Sequence, residues 1–197
     1  VKTSSLSKDS VAFLEKMQQA NRELTSSVLP SVVTIDVVEM RKIKDPFGFG
    51  NSPFHFFFGN PDGDDEKGGM REYKAQGMGS GFIVRKTGNT YYALTNQHVI
   101  GNATDISVML YGGKEIKAKL IGSDTRKDIA LVSFESTEDI PLAKLGDSDE
   151  VQVGDLAFAI GSPMGYVSSV TQGMISAVGR HGGPNKGNVN DFIQTDA

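Results

Sequence analysis

From residue 32 onward the chain breaks into short apolar and β-branched runs with Gly, Asn and Asp between them. This punctuation constrains the fold more than any other feature. Val32–Val38, Gly77–Arg85, Tyr91–Thr95, Ile106–Leu110, Glu115–Ile121 and Ile129–Phe134 have strand lengths and no helical period. Tyr111-Gly112-Gly113-Lys114 is a hairpin signal between two of them. A connector over Ile140–Val153 leads to further strands at Asp155–Ile160, Ser169–Arg180 and Asp191–Thr195. Many short strands with little helix predict an all-β sandwich or barrel. The 23 glycines fit such a fold. Its tight turns need positive φ and its corners need close backbone approach.

Two segments depart from the rhythm. Asp9–Leu29 reads as a helix, capped by Asp9 or Ser7 and stopped by Pro30. Leu14, Met17, Leu24 and Val28 give it a narrow apolar stripe, so it is expected to pack on something else rather than form a core. Residues 41–76 form a long insertion between two strands. Phe47, Phe49, Phe54, Phe56, Phe57 and Phe58 crowd its first half, six of the 11 Phe in the chain. Loops this long are uncommon in compact domains. A cluster of aromatics marks a contact surface rather than a solvated linker, so a docking or regulatory role is expected.

Composition narrows the chemistry. There is no Cys, which excludes thiol catalysis, disulfides, Cys-ligated zinc and iron–sulfur clusters. The net charge of −4 argues against a nucleic-acid partner, which needs a basic face. Val1–Ser10 has no apolar core and is not a signal peptide. Leu156–Gly179 carries no charge, but its Pro163, Gly, Ser and Thr read as two buried strands joined by a turn, not a membrane helix. Asn60, Asp62 and Asp64 resemble the start of a calcium loop, yet Asp65 and Arg71 stand where Gly and Glu are required. No phosphate-binding loop and no His-Glu-x-x-His motif is present.

Of the three His, His55 lies in the Phe cluster and His181 in a Gly-rich loop. His98 sits where a β-branched strand breaks into a turn, in Leu94-Thr95-Asn96-Gln97-His98-Val99-Ile100. Asp128 opens the apolar run Ile129-Ala130-Leu131-Val132. Each admits a structural role, His98 as a lone core histidine and Asp128 as a turn former. Together they admit another: a buried carboxylate that accepts the Nδ1–H of a catalytic His and fixes its tautomer. Such a pair serves a hydroxyl nucleophile. No Gly-x-Ser-x-Gly elbow exists, and Ser80, in Gly79-Ser80-Gly81, reads as a small residue at the start of a barrel strand.

These segments, taken in order, resemble the HtrA (Do-like, DegP-like) family of serine proteases. The resemblance rests on Gly79-Ser80-Gly81-Phe82-Ile83-Val84, the His98 segment and Asp128-Ile129-Ala130-Leu131. It continues through Leu145-Gly146-Asp147-Ser148, Val153-Gly154-Asp155 and Ala159-Ile160-Gly161-Ser162-Pro163-Met164-Gly165. Val170-Thr171-Gln172-Gly173-Met174-Ile175-Ser176-Ala177 and Phe192-Ile193-Gln194-Thr195-Asp196-Ala197 complete it. The resemblance implies a chymotrypsin-like double β-barrel. Residues 1–30 would be a helical segment for oligomerisation, 31–142 a first barrel carrying the insertion, and 143–197 the first part of a second barrel.

The resemblance also implies an ATP-independent endopeptidase of the cell envelope or periplasm that degrades misfolded proteins, without cofactor or metal. His98 would be the general base and Asp128 its orienting partner. Its partners would be unfolded polypeptides and further copies of itself, in trimer-based assemblies, with 180–190 as an activation-responsive loop. The nucleophilic Ser of the family lies in a Gly-Asn-Ser-Gly-Gly segment that this chain, ending at Ala197, does not reach, and PDZ domains usually follow. The chain by itself is therefore expected to be inactive, with an open barrel edge that invites self-association. The alternative is a chaperone or unfolded-protein-binding module of the same fold.

Overall fold

The computed structural model describes residues 6–43, 71–162, 168–180 and 191–197. The six clustered Phe, His55, His181, the Asn60–Asp64 run, residues 163–167 and the 181–190 loop lie outside them. The element order opens with helix α1 (Lys8–Val28) and a 3-10 turn at Leu29–Ser31 that contains Pro30. Strands β1 (Val32–Ile43), β2 (Arg71–Thr87) and β3 (Thr90–Thr95) follow, then a one-turn helix, α2 (Gln97–Ile100). Strands β4 (Asp105–Met109), β5 (Glu115–Asp124) and β6 (Ile129–Glu135) complete the first lobe. After the connector come β7 (Leu156–Gly161), β8 (Ser169–Arg180) and β9 (Phe192–Thr195).

The first six strands close into a barrel in the order β1-β2-β3-β6-β5-β4, every neighbouring pair antiparallel. Alternation along the strands supplies its core. Val33, Ile35 and Val37 of β1, Tyr91 and Ala93 of β3, and Ala130, Val132 and Phe134 of β6 are all buried at period two. Tyr91 stacks on Phe134 with ring centroids 5.6 Å apart. Its hydroxyl donates to the Glu138 carbonyl at 2.7 Å and accepts from Ile140 N at 3.2 Å. That pins the start of the connector to the barrel and satisfies a buried phenol. Ile140 joins the same core.

The Tyr111–Lys114 hairpin forms as expected, with Met109 opposite Glu115 and Gly113 at φ 83°. β1 and β2 run further than their apolar patterns indicate. They stay paired from Val32↔Phe82 to Ile43↔Arg71, so the insertion springs from a two-stranded ribbon extending past the barrel. The pairing of β1 with β4 ends at Val38↔Asp105, so beyond it β1 and β2 run on as a pair.

The second lobe is a three-stranded antiparallel sheet, β7-β8-β9. β7 and β8 pair as the sequence predicts, with Leu156 opposite Met174. They are not the buried strands expected from Leu156–Gly179. Only Ile175 is buried on them, while Leu156, Met174 and Val178 are exposed. A single sheet covers little of either face, and among the described residues no second layer packs on this one. No described helix is long and apolar enough to cross a membrane.

Helix α1 is capped by Ser7, whose Oγ accepts from Ser10 N at 3.1 Å. It buries no residue, and Leu6, Phe13, Leu14, Met17 and Leu24 stay exposed. Its one described hydrogen bond to the second lobe runs from Asn21 Nδ2 to Gln172 Oε1, at 3.1 Å.

Candidate functional site

His98 lies on α2, the single helical turn into which β3 breaks. The turn is held against the barrel from both sides. Ile100 enters the core, and Val99 packs over β2 at Gly79. A Cβ at Gly79 would lie 2.5 Å from Val99 Cγ2, so only glycine lets the turn sit this close. Thr95, at the end of β3, donates from Oγ1 to the Ser80 carbonyl at 2.8 Å. The imidazole is thus carried on a short, braced element between two strands.

Asp128 reaches the same place from the neighbouring strand, just before β6. Asp124 Oδ1 accepts from Arg126 N at 2.9 Å and Lys127 N at 3.2 Å, which closes the turn before β6. Asp128 ends that turn at φ 54°, the one positive φ of a non-glycine residue among the described residues. Asp is one of the few residues that tolerates this region. β3 and β6 are paired neighbours, with Thr95 opposite Ala130, so the elements after β3 and before β6 meet.

The two side chains meet as the sequence suggests. Asp128 Oδ2 lies 2.7 Å from His98 Nδ1, and Oδ1 accepts from His98 N at 2.9 Å. A carboxylate on Nδ1 selects the tautomer in which Nδ1 holds the proton and Nε2 offers its lone pair. The imidazole is 70% exposed, so a reactant can reach it. The sequence reading of Asp128 as a buried carboxylate needs correction: its side chain is 36% exposed, because it lies on the turn outside the barrel's inner layer. Partial desolvation pushes its carboxyl up, but the hydrogen bonds and charge of His98 and the Asn96 amide outweigh this and hold it below the ordinary carboxylate value.

One further group that the sequence does not single out touches the pair. Asn96 Nδ2 donates to the Asp128 carbonyl at 3.0 Å and to Oδ2 at 3.3 Å. Separately, the two lobes are stitched together. Thr34 Oγ1 donates to Ser162 Oγ at 2.7 Å, and Ser162 N donates to Ser80 Oγ at 2.8 Å. Ser80 therefore lies well inside β2, not at its start, and its hydroxyl is committed to the seam. Thr34 and Ser162 are separated by 128 positions, so no local pattern announces their contact.

Comparison with known proteins gives the family of the chain. Residues 79–197 match the trypsin-like peptidase domain family. The chain is 41% identical over 186 residues to a probable periplasmic serine protease do/HhoA-like of Haemophilus influenzae. It is 37% identical over 191 residues to the periplasmic serine endoprotease DegP of Escherichia coli. These alignments cover 91% and 88% of this chain but only 39% of either relative, so the chain spans about two-fifths of their length. Among solved structures, the HtrA-type protease AlgW with tripeptide superposes with a TM-score of 0.64 at 30% identity, covering 89% of this chain and 46% of that one. The chain belongs to the trypsin-like peptidases, with the chymotrypsin-like fold, and among them to the HtrA family of serine proteases.

Proposed function

We propose that this chain is the His–Asp portion of a periplasmic serine endopeptidase that degrades misfolded proteins, with His98 and Asp128 as its catalytic pair. The carrying observation is Asp128 bonded at once to His98 N and Nδ1, with the imidazole open to solvent. In that arrangement Nε2 takes the proton of a serine hydroxyl as it attacks a peptide carbonyl. It then returns the proton to the leaving amine. Asp128 stabilises the imidazolium formed between the two steps, without itself being protonated. The serine would come from the Gly-Asn-Ser-Gly-Gly segment that follows the last motif in the family. The periplasmic relatives in Haemophilus influenzae and Escherichia coli support the periplasmic location.

Further parts of the reading concern the whole protein. The exposed apolar stripe of α1 and the Phe-rich insertion would join copies of the chain, in trimer-based assemblies. PDZ domains would follow the protease domain, and unfolded polypeptides would be the substrates. The same exposed apolar side chains, Phe13 and Leu6 foremost, favour a second activity as a holder of unfolded chains.

The deciding experiment uses the full-length protein. His98→Ala is expected to lower hydrolysis of an unfolded protein such as casein by about 10⁴-fold or more. A serine-directed fluorophosphonate should label the parent. Casein cleavage at the parent rate by His98→Ala would remove His98 as the base. Absence of labelling, with unfolded chains still bound, would favour the holding activity alone.

A further inference from the structure

Asn96 occupies the N-cap of α2, yet its side chain makes no capping hydrogen bond. An Asn in that position ordinarily turns its oxygen onto the amide of the second or third helical residue. Here the second is His98, and its amide is taken by Asp128 Oδ1 at 2.9 Å. The two side chains have exchanged tasks. The carboxylate of Asp128 caps the turn, which leaves the amide group of Asn96 to donate. It donates to Asp128 itself, bridging the carbonyl and Oδ2.

That bridge falls where Asp128 most needs holding. Its left-handed backbone is unfavourable for an L residue, and both carboxylate oxygens point at His98 from that backbone. Oδ1 is fixed by His98 N. Oδ2 carries the bond to Nδ1, and among the described residues Asn96 is its other partner. A carboxylate free to rotate would release Nδ1, and with it the tautomer that leaves Nε2 basic.

We infer that Asn96 is a positioning residue: its amide, clamped on the carbonyl and Oδ2 of Asp128, keeps the carboxylate aligned with His98 Nδ1. This rests on the His98–Asp128 reading proposed above. A plain turn-forming role for Asn96 makes a different prediction. Asp caps a helix as well as Asn and has nearly the same shape, but an ionised carboxylate has no N–H to donate. Asn96→Asp is therefore silent if Asn96 only shapes the turn, and damaging if its amide positions Asp128.

The test compares Asn96→Ala, Asn96→Asp and Asp128→Ala in the full-length protein, by peptide hydrolysis and by proton NMR of the His98 Nδ1–H. Asn96→Ala is expected to lower kcat about tenfold with KM changed less than about twofold. Asn96→Asp should lose at least as much, because its carboxylate has no N–H to donate to the Asp128 carbonyl and Oδ2. In both variants the Nδ1–H resonance should broaden or vanish as that proton becomes free to exchange. Parent kcat and an intact Nδ1–H signal in Asn96→Asp would overturn the inference while leaving the catalytic pair standing. Parent activity in Asp128→Ala would overturn the pair and the inference together. If Asn96→Ala fails to fold, Asn96→Asp decides alone.

Discussion

The two lobes of this chain are built from similar strands and end in different states. In the first, six strands close on themselves, and Val33, Ile35, Ile83, Val108 and Val132 are at most 1% exposed. In the second, three strands leave Leu156, Met174, Val178, Phe192 and Ile193 exposed, and Ile175 alone is buried on them. Closure makes the difference. A closed barrel gives each inward side chain a full shell of neighbours, whereas a lone sheet offers neighbours on one side only. The His98–Asp128 pair sits on the closed lobe. The described part of the second lobe is tied to it by the Thr34–Ser162–Ser80 seam.

The sharpest way to break this comparison is to open a cavity in each lobe. Ile35→Ala in the barrel should cost about 3–4 kcal/mol, from lost burial and the cavity left behind. Met174→Ala, at a half-exposed position of β8, should cost less than about 1 kcal/mol. Urea denaturation midpoints of this chain measure both. Equal losses would mean that the second sheet carries as much of the packing as the barrel does.

The seam is the next test. Thr34→Val removes a buried donor and leaves Ser162 Oγ without it, an expected loss of about 1–3 kcal/mol. Ser162→Ala removes the other side, and the double variant should cost clearly less than the sum of the two. Hydrogen exchange adds the direction. If the seam anchors the second lobe, amides of β7 and β8 lose protection in Thr34→Val while those of β3 and β6 keep it. A uniform loss would show that Thr34 serves the barrel alone.

The same contrast explains what could be read from the sequence. The barrel strands and His98 with Asp128 were legible because each depends on local pattern: alternation, turn residues, and a motif around each catalytic candidate. Burial of β7 and β8 was misjudged because an uncharged run looks alike whether one face or both are covered. The extension of β1 from Glu39 to Ile43 is not marked in the sequence because it depends on cross-strand pairing with residues 71–75 rather than on alternation. Asn96 was passed over for a different reason. Its donation to Asp128 exists only because Asp128 adopts φ 54° and takes over the cap of α2, and no residue type announces that exchange.

The smallest expected effects set two carboxylates of the closed lobe against each other. The Asp128 carboxyl is held below its ordinary value, so its ionised form stabilises the fold above the unfolded pKa of about 3.9, and that stability is lost as pH falls through the lower folded value. Asp36 on β1 is opposite. Burial first, then the charge of Glu115, raise its carboxyl above the ordinary value, with Asp105, Lys117 and Lys119 lining the same groove. Its contribution is fully present below the unfolded pKa and is lost as pH rises through the raised folded value. Asp128→Asn should therefore lower the thermal midpoint at pH 7, by no more than about 1 kcal/mol in stability because both partners are substantially exposed. Asp36→Asn should raise the midpoint at pH 7 by about a degree or two. Both differences should shrink as the pH is taken from 7 to 3. A midpoint lowered by Asp36→Asn at pH 7 would mean that its ionised carboxylate has a stabilising role, like that of Asp128 rather than opposite to it.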